Sequence, residues 1–502
     1  MKLTVKKWNG NTPFTGQPPE IADTCRNTGR AGVDIIYFMN TINFFTVTIL
    51  MAGMAALTVS CDTASDDEPF TGAANEIRLM TLNPGHFHAA LVQKNMLEVV
   101  HPTVYIYAPG GADLDLHMER IKAFNSRSEN PTSWESEIYT GPDYLDRMLE
   151  EQPGNVMVTA GNNRLKTEYI KQAVDNGIHV LSDKPMAVDS EGWNLLTEAF
   201  DIAEERDVLL YDIMTERYEI TSMLQRELAK RENLFGRLST GSPDEPAIVK
   251  ESVHHLFKTV SGQTLRRPPW YFDVDQQGEG IVDVTTHLVD LSMWAAFPDE
   301  IIDHREDVRM LEADRWPTVL TKEQFSRITG MDSFPDYLQD RLVDGELHYY
   351  SNGEMTYTLK GHHARVSVQW NYEAPPGSGD THFSVLKGSR VDLVIRQGPE
   401  QDFRSTLYVE PKENSDMSEI ETAVITVVRD LQDRFPGLDH EATENGWKLL
   451  IPGEFYRGHE AHFGKVAETY FSYLAGGSLP EWEVPNMITK YYITTRAREL
   501  AL

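Results

Sequence analysis

Apolar residues in the first half of the chain come in short unbroken runs, and stretches of helical period separate them. Residues 77–82 (IRLMTL), 103–108 (TVYIYA), 136–139 (SEIY), 155–161 (NVMVTAG), 178–182 (IHVLS) and 207–212 (DVLLYD) read as strands. Turn residues open 83–97 (NPGHFHAALVQKNML), which then continues at helical spacing. Further helices are expected at 114–124, at 143–151 with an aspartate cap, at 165–177 ending in glycine, and at 189–206. Alternating β and α units with short links predict a parallel, doubly wound sheet. Ligands of such sheets lie beyond the carboxyl ends of the strands.

After Thr215 the pattern changes. A helix over 220–231 leads to strands at 247–257, 346–351, 355–360, 364–372, 381–388 and 390–397. Several alternate with a period of two, which predicts a mostly antiparallel sheet with one covered face. A helix returns at 460–477. The expected organisation is therefore a targeting segment (1–60), a tether (61–76), a dinucleotide-type domain (77–215) and a C-terminal α/β domain with a large mostly antiparallel sheet (216–502).

Composition narrows the classes. The 502 residues are 40% hydrophobic, so the chain is globular and long enough for two cores. A formal charge of −31 opposes a phosphate backbone and argues against nucleic-acid binding. Two cysteines, Cys25 and Cys61, exclude a disulfide framework. Residues 44–61 (FFTVTILMAGMAALTVSC) are apolar, end in small residues and a cysteine, and precede the acidic run DTASDDEP. That order resembles a bacterial lipoprotein signal and marks Cys61 as the lipidation site; a plain membrane-anchor helix is the alternative. The expected location is the cell envelope, with the membrane touched only through this anchor.

Candidate chemistry gathers at predicted strand ends. The stretch LSDKPM (181–186) closes a buried strand, and Pro185 holds Lys184 out of the α region. The first βα turn, where a dinucleotide's pyrophosphate would meet a helix, reads Asn83-Pro84-Gly85-His86-Phe87-His88, with one glycine of the usual three. After the second strand comes Ala108-Pro109-Gly110-Gly111, and no acid is assignable there, so NAD and NADP stay open. In GEGIVDVTTHLVDL (278–291), Asp283 and His287 are four apart, on one face if the segment is helical.

Taken together, the run from Val156 to Asp189, the segment 278–291 and MTERYE (214–219) resemble the Gfo/Idh/MocA oxidoreductases. Ala160, Asn163, Gly177, His179, Val180, Lys184 and Pro185 fall in register with that family's nucleotide-domain core, while Asp183 replaces its glutamate and Lys166 a histidine. The resemblance implies a Rossmann domain binding NAD or NADP through Asn83, Gly85, His86, Phe87, Ala160, Asn163, Asp183, Lys184 and Arg217. It also implies His287 as base, Lys184 as the group that orients and polarises the reacting oxygen, and Asp283 as a positioning acid. Histidine's near-neutral pKa and a fixed ammonium suit those two tasks.

The implied substrate is a sugar or glycoside, oxidised at a secondary hydroxyl. His254, His255, Trp270 and Tyr271 are the candidate substrate contacts. Two other outcomes stay open: redox-neutral cleavage or epimerisation with tightly bound NAD, and a non-enzymatic carbohydrate-binding envelope protein. The C-terminal sheet is a candidate face for a homo-oligomer. His459 and His462, three apart, lack a third ligand, so no metal is expected.

Overall fold

The computed structural model describes residues 70–502 apart from Ser261, Gly262 and Asn414. Cys61, the 1–60 segment and most of the proposed tether lie outside the described residues. Among the described residues, no helix is long and apolar enough to cross a membrane.

Six strands form the first sheet: β1 (Leu79–Leu82), β2 (Thr103–Ala108), β3 (Glu135–Thr140), β4 (Val156–Thr159), β5 (His179–Asp183) and β6 (Leu210–Ile213). Their order is β3-β2-β1-β4-β5-β6, and every pair is parallel. The crossovers carry α1 (His88–Leu91), α2 (Ala112–Ser126), α3 (Tyr144–Glu151), α4 (Lys166–Asp175) and α5 (Ser190–Glu205). Strands β1, β4 and β6 are buried along their whole length, because helices cover both faces of a parallel sheet. Strand order reverses between β1 and β4, which opens a crevice at their carboxyl ends.

Two expectations need correction here. The helical spacing after β1 produces only one turn, His88–Leu91. Asp143 does not cap α3 with its side chain; its carboxylate accepts the Tyr139 hydroxyl at 2.6 Å instead.

Helix α6 (Ile220–Ala229) leads into the second sheet, which has ten strands. After β7 (Ile248–Phe257) come a small hairpin, β8 (Thr259–Val260) and β9 (Gln263–Thr264), and the helices α7 (Val274–Gln277) and α8 (Thr285–Ala296). Then follow β10 (Val308–Leu320), α9 (Lys322–Thr329), β11 (Leu342–Val343), β12 (Glu346–Leu359), β13 (His362–Glu373), β14 (Thr381–Lys387), β15 (Val391–Gln397) and β16 (Thr406–Pro411). The chain ends with α10 (Met417–Asp430), β17 (Asp439–Thr443), β18 (Gly446–Leu450), α11 (His459–Gly476) and α12 (Glu483–Ala501). Only β7 and β13 pair in parallel within this sheet.

One face of the second sheet packs Met355, Tyr357, Val366, Leu393 and Ile395 against Leu224 of α6, Val289 of α8 and Val424 of α10. The terminal helices tie the two layers together. Phe463, Val466 and Tyr470 of α11, with Met487 and Tyr491 of α12, complete the core of the first sheet. Ile493 and Ala497 of α12 enter the core of the second. Helix α12 thus serves both cores and fixes the crevice between them.

Candidate active site

The site grows from the carboxyl ends of β1, β4 and β5. Asn83 follows β1 with φ 47°, a left-handed conformation that asparagine tolerates better than most residues. It therefore stands where the usual motif has its first glycine. Gly85 and Gly161 let the two turns approach: a Cβ on Gly161 would lie 2.6 Å from the Asn83 carbonyl. The Ala160 carbonyl accepts from the backbone N–H groups of both Gly85 and His86, each at 3.1 Å. A Cβ on Gly85 would come within 3.2 Å of the Trp270 ring and 3.1 Å of Asp113. The two glycines let these turns close up at the reversal of strand order, the place where sheets of this topology hold a dinucleotide.

A segment of the second layer closes over that crevice. Trp270 donates its indole N–H to Asp113 at 2.8 Å, at the start of α2. The Gln276 carbonyl accepts from the Asn163 backbone N–H at 2.7 Å, and the Gln277 carbonyl from its side-chain amide at 2.7 Å. Asn163 thus docks the 270–277 strap. Trp270 stands over the Gly85 turn, with its indole N–H committed to Asp113. Asp113, in the first turn of α2, is thereby tied to the strap.

Lys184 leaves the end of β5 through a cis peptide bond to Pro185. Its ammonium meets Asp283 Oδ1 at 2.6 Å, and Gln277 donates to Asp283 Oδ2 at 3.1 Å. Asp283 lies in the turn before α8, not within the helix, and His287 lies in the first turn of α8. Burial opposes the Lys184 charge, but Asp283 and Asp183 outweigh it and hold the ammonium above its usual pKa. Burial also works against Asp283, yet Lys184 brings its pKa below the usual value. Burial and then Lys184 push His287 down to about 4. At neutral pH the site therefore pairs a fixed cation with a neutral imidazole. His287 Nδ1 is buried without a hydrogen-bond partner, so a proton acceptor stands ready beside the cation.

Tyr271 lies within electrostatic reach of Lys184 and Asp283, and Arg267 covers its ring at 4.5 Å. It is the aromatic candidate that the structure brings to the reacting end. His254 and His255 both turn their Nδ1 atoms to Asp380, at 3.3 and 2.9 Å, and His254 tilts against Trp370. Those two histidines form a separate cluster on β7, held by Asp380.

Arg217 is a correction. Its guanidinium grips Asp290 with two nitrogens, at 2.7 and 2.6 Å, and Glu483 at 2.8 Å. No donor atom of that fork is left for a cofactor, and the residue instead clamps α8 to α12. Asp183 is bound by histidines: His88 Nδ1 lies 2.9 Å from its Oδ2 and His86 Nδ1 3.4 Å. The His86 and His88 rings meet edge-on at 4.1 Å, and Phe87 packs against both at 4.5 Å. His88 and Glu216 escape the sequence reading. The His-x-His spacing of "HFH" is the one signal that points to the first.

Fold and site define a two-domain dinucleotide-dependent oxidoreductase. Residues 112–211 match the family described as "Oxidoreductase family, NAD-binding Rossmann fold". Residues 224–502, more than half of the chain, match "Putative oxidoreductase C terminal domain". The chain belongs to the Gfo/Idh/MocA oxidoreductase family and is an NAD-dependent enzyme.

A crystal structure of an oxidoreductase from Parabacteroides merdae is 54% identical over 86% of this chain and 99% of its own, with a TM-score of 0.85. Levoglucosan dehydrogenase, in complex with NADH and levoglucosan, shares the fold at 13% identity over 85% of this chain and 97% of its own, with a TM-score of 0.54. An oxidoreductase from Thermotoga maritima has a TM-score of 0.53 at 13% identity, over 85% and 98% of the two chains. No curated protein matches the chain.

Proposed function

We propose that this enzyme oxidises a secondary hydroxyl of a sugar or glycoside to a ketone, with NAD as the hydride acceptor. The observation that carries the reading is the Lys184–Asp283 pair at 2.6 Å beside the neutral, unpartnered His287. Hydride loss from a carbinol carbon also requires that the hydroxyl proton leave. His287 takes it, and the Lys184 ammonium holds the oxygen and stabilises the alkoxide character that develops. Asp283 keeps Lys184 charged and aimed. Support for a sugar comes from neighbours of the same fold that hold levoglucosan and L-sorbose.

A second reading keeps NAD bound and returns the hydride, so that a glycoside is cleaved or epimerised without net oxidation. The strap over the crevice, with its Trp270–Asp113 and Asn163–Gln276 bonds, favours it. A panel of glycosides with and without added NAD separates the two. Accumulating NADH marks net oxidation; product without NADH, with one NAD co-purifying per chain, marks the redox-neutral cycle. Full activity of both Lys184→Ala and His287→Ala would remove the site altogether. We further propose an envelope location through a lipid on Cys61, a reading lost if labelled palmitate still enters a Cys61→Ala variant.

A further inference from the structure

The turn after β1 places two histidines, His86 and His88, against the last residue of β5. His88 Nδ1 and His86 Nδ1 lie 2.9 and 3.4 Å from Asp183 Oδ2, and the three atoms lie within 4.8 Å of one another. A tetrahedral ion with bonds of about 2.0–2.1 Å has ligand–ligand edges of about 3.3 Å, which these separations approach. Asp183 is 4% exposed, and its Oδ1 has no hydrogen-bond partner; nor does the buried His86 Nδ1. Buried polar atoms without partners are costly unless something binds them. Nearby cations are otherwise engaged: Lys184 pairs with Asp283, and Lys166 donates to the Asp183 carbonyl at 3.0 Å.

The neighbours of His88 suit such an ion. His88 Nε2 faces His459 Nε2 at 2.8 Å, and His459 Nδ1 faces Glu216 Oε1 at 3.6 Å. A cation at His88 Nδ1 requires the ring proton on Nε2, which the His459 ring is placed to accept. His88 then donates from Nε2 to His459, and His459 directs its Nδ1–H toward Glu216.

We propose that His86, His88 and Asp183 bind a divalent first-row transition ion such as zinc, with His459 fixing the ligating tautomer of His88 and Glu216 orienting His459. This site is independent of which sugar the enzyme takes.

The test uses the tag-free chain, stripped with a chelator and titrated with Co²⁺ and Zn²⁺. The readouts are metal content by mass spectrometry and the visible bands of tetrahedral Co²⁺. About one ion per chain is expected. His86→Ala and Asp183→Asn should weaken binding by at least about 100-fold, whereas His459→Gln keeps the stoichiometry and weakens binding about 10–100-fold. His86 is partly exposed, so its variant keeps the fold, which a melting curve checks. Content below about 0.1 ion per chain with either metal, or unchanged affinity in His86→Ala, would overturn the proposal.

Discussion

Two buried charge clusters stand at neighbouring strand ends, and they differ in what they leave unused. Beyond β6, Arg217, Asp290, Glu483 and Lys490 interlock. Arg217 bridges Asp290 and Glu483, and the Lys490 ammonium meets Asp212 at 2.7 Å and Asp290 at 3.0 Å. Asp212 Oδ1 is the one oxygen of that cluster without a partner. Beyond β5, the Lys184–Asp283 pair adjoins three buried atoms with none: His287 Nδ1, His86 Nδ1 and Asp183 Oδ1. Buried polar groups are ordinarily satisfied, so three exceptions around one ion pair single it out as the candidate site. The first cluster is a fastener between helices; the second is a site.

Exchanging one lysine in each cluster tests this division most severely. Lys184→Met should lower kcat/KM by about 10³-fold, ~4 kcal/mol of transition-state stabilisation, because the ammonium is the group proposed to hold the reacting oxygen. Its stability loss should be the smaller of the two, since Asp283 keeps Gln277 and can take up a proton. Lys490→Met should do the reverse. It leaves Asp212 in the interior without its cation, held only by the Tyr491 hydroxyl, and should cost about 3 kcal/mol in a urea titration, with KM unchanged in the folded fraction. Equal effects of the two variants on rate and stability would erase the distinction.

The next test is the acid limb of kcat/KM. His287 acts as a base in its neutral form, which burial and Lys184 preserve down to about pH 4. Activity should therefore persist as pH falls through 6.5 and fail only near 4, in protein shown to be folded by circular dichroism. A limb at the ordinary histidine value would mean that the site is wetter than its burial implies.

The same contrast explains what could be read from the sequence. Strands β1, β4 and β5 are unbroken apolar runs because both their faces are covered, and such runs announce themselves. Lys184, Asp283 and His287 were singled out by the resemblance of their segments to the family's motifs, and the fold brings Lys184 and Asp283 to 2.6 Å of one another. Strand β10 was not legible. Register shifts at Met310/Glu312 and Trp316/Thr318 break its period of two, and charged residues are spread along it. Arg217 was misread because its partner Glu483 lies 266 residues away, where no local pattern reaches. The His88–His459 contact spans 371 residues and was hidden for the same reason.

The smallest expected effect concerns the wall between the clusters and the crevice. Trp270 lies over Gly85 and gives its N–H to Asp113 at 2.8 Å, so it either retains the cofactor or obstructs it. Retention is the expected outcome, because the strap that carries Trp270 is bonded to the first layer at both Asp113 and Asn163. Burial raises the Asp113 pKa, and the indole N–H opposes that, keeping the carboxylate available as an acceptor. Trp270→Phe preserves an aromatic ring and removes the donor. NADH release, followed by stopped-flow fluorescence, should quicken about fivefold, ~1 kcal/mol, with kcat nearly unaltered. Slower release in the variant would show that the indole competes with the cofactor, and the strap would then be a gate rather than a clasp.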